Sequence, residues 1–185
     1  MRLAPILQLS AVTVCLSSMV SLSCSSGGGS TSPKCTSLDN YVAVATAAPS
    51  FATDIYPIFS NTGAAMGCGQ ATICHGTPSV AIDSVGAKML SFTTAAATVK
   101  AALLGNSVNA PTMKMVVPGD VGASFLAYKL SAKDGLECVK SSCSPDNSVG
   151  TMTACGDPMP TPQLGVLSDG DRTKILDWIA LGAAD

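Results

Sequence analysis

The stretch that most constrains this chain is Met66–Gly76, Met-Gly-Cys-Gly-Gln-Ala-Thr-Ile-Cys-His-Gly. It holds Cys68, Cys74 and His75, the only histidine in the 185 residues. A Cys-His-Gly tripeptide with a second cysteine just upstream is the pattern of covalent c-type haem attachment. The residue types follow from the chemistry. Two thiolates add to the two porphyrin vinyl groups, and the adjacent imidazole becomes the proximal iron ligand. The usual spacing has two residues between the cysteines, whereas here five intervene. Three extra residues must bulge outward, which Gly67 and Gly69 make feasible. The same two thiols can instead form a disulfide if the loop folds back. Zinc is poorly served by a single imidazole and no paired Cys-x-x-Cys elsewhere.

Composition narrows the classes. Hydrophobic residues make up 47%, much of it alanine, and aromatics only 4%, so the core is expected to be thin and to need staples or a cofactor. Net charge is −2 with no basic run, which argues against nucleic acid as a partner. One histidine excludes sites needing several imidazoles. No Gly-x-Ser-x-Gly elbow is present, so hydrolase chemistry has no support.

The first 23 residues read as a signal peptide. Arg2 is the only charge before Lys34, Leu3–Leu22 is apolar and small, and Ser21-Leu22-Ser23 precedes Cys24. A transmembrane anchor would need about 20 strongly apolar residues, and serines and a glutamine interrupt this run. Cys24 after the predicted cut resembles a bacterial lipoprotein signal. Leucine stands at Leu22, one position later than usual. Lipidation at Cys24, with the lipid as membrane anchor, is the expectation; a free secreted chain is the alternative. Residues 24–50 are expected to be a flexible tether, starting with the Ser/Gly-rich run 25–33, and 51–185 the folded domain. Such a chain is exported to the cell envelope, where disulfides are plausible.

In the domain, Phe51, Ile55, Ile58 and Phe59 have helical spacing, with a start near Asp54 or a kink at Pro57. A helix is expected over Ala95–Leu104, ended by Gly105-Asn106. Pro118-Gly119 is turn chemistry leading to a helix that carries Phe125, Leu126, Tyr128 and Leu130. Asp134–Gly165 reads as a polar loop cross-linked through Cys138, Cys143 and Cys155. The clearest helix starts at Ser168-Asp169-Gly170-Asp171 and spaces Ile175, Trp178, Ile179 and Gly182 along one face.

Several of these pieces resemble the cytochrome-c-like domains of exported bacterial lipoproteins. They are Phe51-x-x-Asp54-Ile55-Tyr56-Pro57-Ile58-Phe59 before Cys-His-Gly, Val117-Pro118-Gly119-Asp120-x-x-Ala123-Ser124-Phe125-Leu126-x-x-Lys129-Leu130, Met159-Pro160, and the Trp178-Ile179-Ala180-x-Gly182-Ala183 ending. The resemblance covers roughly Phe51 to Ala184 in order. It implies a mainly α, small helical domain with long cross-linked loops around haem c. Cys68 and Cys74 would be the attachment cysteines, His75 the proximal ligand and Met159 the distal one, with Met113 and Met115 as alternatives. The implied function is electron transfer at the cell envelope, to a redox partner protein that the sequence does not name. The alternative is a haem-free, disulfide-stapled lipoprotein of the same fold acting as a binding or structural module. Without Cys15 and Cys24, six of the eight cysteines remain. Cys138 or Cys143 is the expected partner of Cys155.

Overall fold

Trp178 sets the centre of the domain. It is fully buried, and its ring lies 5.1 Å from that of Phe51, centroid to centroid. The computed structural model describes residues 36–60, 91–144, 155–160 and 167–185, all within the unit Thr31–Asp185. The described residues are mainly helical, with isolated β-bridges in place of a sheet. The helices are α1 (Thr36–Asp39), α2 (Tyr56–Ser60), α3 (Ala96–Leu103), α4 (Phe125–Lys129), α5 (Ala132–Cys138) and α6 (Asp169–Ala180). Among them, no helix is long and apolar enough to cross a membrane.

The few aromatics are spent almost entirely on one core. All four phenylalanines and the tryptophan are at most 2% exposed. Phe59 stacks on Phe92 at 4.9 Å. Phe51 and Ile55 sit in a π-helical turn, Phe51–Ile55, that runs directly into α2. Its widening falls just before Pro57, whose ring cannot donate an N–H and crowds the carbonyl four residues back. Ser50 and Asp54 cap the turn reciprocally: Ser50 Oγ accepts from the Thr53 amide, and Asp54 Oδ2 accepts from the Ser50 amide. Both α3 and α6 pack on this turn.

The Val117–Asp120 turn has Pro118 at its second position and Gly119 at φ +83°, and the Gly119 amide docks on Ile179 O at 2.8 Å. The chain then enters α4, in which every residue is buried. Two elements differ from expectation. Within the expected polar loop, residues 132–138 form α5, which packs on α4 and brings Leu136 into the core, followed by a 3-10 turn at Lys140–Ser142. Gly182 does not extend α6. The helix stops at Ala180, Gly182 takes φ +99°, and the Gly182 and Ala183 amides return to Ile179 O and Trp178 O. This is a Schellman end, which favours glycine at the left-handed position.

Packing also reaches back before Phe51. Leu38 on α1 is 4% exposed and belongs to the core. The segment after it is strapped to α6 by Asp177. That carboxylate, 3% exposed, accepts from Tyr41 Oη (2.8 Å) and from the amides of Val44 and Ala45 (both 2.9 Å). Residues 38–45 are therefore attached to the domain rather than free of it.

Candidate functional site

Of the four residues expected to hold haem and the expected lipid site, Met159 lies among the described residues. Cys24, Cys68, Cys74 and His75 lie outside the described residues. Met159 is half-buried, in a segment running from Cys155 to Pro160, and its amide donates to Lys129 O at 2.8 Å. The other two methionines considered as ligands, Met113 and Met115, pack against the hydrophobic core.

The Cys155–Pro160 segment is held from three sides. Cys155 is 1% exposed and bridged to Cys143, twelve residues earlier. This bears out the expected partner, and a bridge closing a loop of this length stabilises by about 2–4 kcal/mol. Cys138 is disulfide-bonded as well. Asn109 Nδ2 donates to Cys155 O at 3.2 Å, while Asn109 O accepts from the Ser144 amide beside the bridge. Lys129 enters from α4, its Nζ donating to Cys155 O at 3.1 Å and to Asp157 O.

Lys129 is only 4% exposed, with Nζ 5.8 Å from the centroid of the Phe125 ring. Burial pushes its amine down to about 8, and the nearby Asp157 charge offsets part of that. Two of the three donors of a buried ammonium reach carbonyls here, and the ring face is a favourable surface for the cation. On the preceding residue of α4, Tyr128 Oη donates to Gly122 O (2.7 Å), with Asp39 Oδ1 also within reach at 3.2 Å. Burial and then Asp39 push its phenol up to about 12.

No protein-family model matches the chain, and neither does any curated protein or solved structure. Lys129 and Asp177 are the polar residues that the spacing argument passed over. For Lys129 a signal was present, because it sits among Phe125, Leu126, Tyr128 and Leu130 in a helix too short to offer a solvent face. Asp177 had no such signal, since its partners lie more than 130 residues away.

Proposed function

We propose that the chain is a haem c-binding electron-transfer protein with a cytochrome-c-like fold, exported to the cell envelope and anchored by a lipid on Cys24. The observation that carries this reading is the donor set: two thiols at Cys68 and Cys74, an imidazole at His75, and a thioether at Met159. Those four groups suit the two covalent links and two axial bonds of a c-type haem. The mainly α fold and the fixed position of the Met159 backbone ahead of α6 support it. The Cys143–Cys155 bridge suits an oxidising compartment.

Haem c would supply a one-electron couple, held by the thiols of Cys68 and Cys74, the imidazole of His75 and the thioether of Met159. The chain's own tasks are then to bind, orient and exclude water. Cys68 and Cys74 hold by covalent attachment, His75 and Met159 orient, and the buried aromatic cluster provides a dry, stiff support. The proposed role is to pass electrons to a partner protein, with no substrate turned over.

The alternative reading keeps the fold and pairs Cys68 with Cys74 in a haem-free, disulfide-stapled module. It is favoured by the fact that Cys138, Cys143 and Cys155 are all disulfide-bonded. Ligand substitution tests the haem reading. A His75→Ala protein is expected to show a shifted visible spectrum and a changed reduction potential, and Met159→Ala a smaller spectral shift with a lower potential. An unchanged spectrum in His75→Ala would sink the ligand assignment.

A further inference from the structure

We infer that Lys129 is the positioning residue for Met159, fixing the Cys155–Met159 segment and thereby the ligand's place. The inference rests on the reading of Met159 as an axial ligand. It is motivated by one repeated pattern: every second residue of that segment is tied to this lysine. Cys155 O and Asp157 O accept from Nζ, and the Met159 amide donates to Lys129 O.

The bridge and Asn109 hold the segment at Cys155, and beyond it the ties run to Lys129. Cys155 is its apolar anchor, while Asp157, Pro158, Met159 and Pro160 are all half-buried. Polar ties therefore decide its course. A leucine or methionine at position 129 would fill the same space without the cost of burying an amine. What the amine adds is a pair of directed hydrogen bonds, to Cys155 O and Asp157 O.

The close wrap also explains Gly156. It has φ +71°, and a Cβ there would lie 2.6 Å from Asn109 Nδ2 and 3.2 Å from Lys129 Nζ. Only a residue without a side chain lets the backbone close over the lysine and the asparagine together. Asn109 shares Cys155 O with Lys129 and links it to Ser144, next to the Cys143 arm of the bridge. The bridge and α4 thus hold the segment from opposite sides.

The test uses the full chain produced with c-type haem maturation, as wild type, Lys129→Met and the milder Asn109→Ala. The first readout is amide exchange. Loss of the Nζ bonds is expected to speed exchange at Met159 about tenfold or more in Lys129→Met, with the Trp178 and Ile179 amides of α6 unchanged. The second is the weak long-wavelength charge-transfer band of a thioether bound to ferric haem. That band is expected to fade and the potential to fall, at unchanged covalent haem content. Asn109→Ala should move both readouts the same way by less, and remains informative if Lys129→Met fails to fold. A wild-type band and potential in a folded Lys129→Met protein would overturn the inference. So would exchange that rises equally in α6 and at Met159, the mark of general destabilisation. If wild type carries no haem, the ligand reading fails and takes the ligation half of the inference with it. The exchange comparison then decides whether Lys129 fixes the segment.

Discussion

Replacing Trp178 with alanine is expected to destabilise the domain by about 3–5 kcal/mol. The side chain is 0% exposed, contacts Phe51, and donates from Nε1 to Ala184 O at 2.9 Å. Its loss removes the residue that joins α6 to the Phe51–Ile55 turn, and the surrounding Ile175, Ile179 and Phe51 are already fully packed. A cavity of indole size cannot collapse there without moving α6, which is also held by Arg172 to Leu130 O and Ser131 Oγ. Against a typical stability of about 5–15 kcal/mol, this is a large fraction. It corresponds to a fall in Tm of roughly 10 °C or more for a domain of this size. Trp178→Phe keeps most of the volume and leaves Ala184 O to solvent, so about 1–2 kcal/mol is expected. Urea unfolding of the three proteins measures both values. A loss below about 1 kcal/mol for Trp178→Ala would show that the indole is not central to the core.

Stability is expected to rise by about 2–3 kcal/mol between pH 7 and pH 10 and to fall again above it. The rising limb belongs to Lys129. Its folded pKa, about 8, lies below the ordinary 10.5, so between those values the unfolded chain binds a proton that the folded chain has lost. Stability then increases with pH. The falling limb belongs to the tyrosines. Tyr128 is pushed up to about 12 and Tyr41 is raised further, first by burial and then by the Asp177 carboxylate. Above pH 10 the unfolded phenols ionise while the folded ones keep their protons, and stability is lost. Lys129→Met should abolish the rising limb and leave the falling one. Denaturant midpoints at pH 7, 8.5, 10 and 11 under non-reducing conditions check this. A flat profile up to pH 10, or a rise that persists in Lys129→Met, would contradict it.

What could be read from the sequence was what local chemistry determines. The Ser168 cap and the spacing of Ile175, Trp178 and Ile179 located α6, and Pro118-Gly119 located a turn that is present. The Gly105 stop of α3 was legible for the same reason. Tertiary chemistry was less visible. Asp134–Gly165 reads as a polar loop, yet helix α5 forms at its start because α4 offers a packing face and Leu136 has a core to enter. The spacing of Gly182 continued the α6 stripe, but an exposed glycine after the last helical residue serves better as a left-handed cap. Asp177 looks like one more polar residue in a helix, and its role appears only when Tyr41, Val44 and Ala45 return to it. At the candidate site, the lysine that grips the Met159 segment was legible as a lone charge among apolar neighbours. Its carbonyl partners were not, since backbone acceptors have no residue signature.

The most direct test of the central claim is a visible absorption spectrum of protein purified from a host with c-type haem maturation, taken before and after dithionite and repeated after denaturation. The account predicts a Soret band with sharp reduced α and β bands, and colour that stays with the chain when it is unfolded. A colourless protein in which Cys68 and Cys74 are recovered in one disulfide-linked peptide would contradict it.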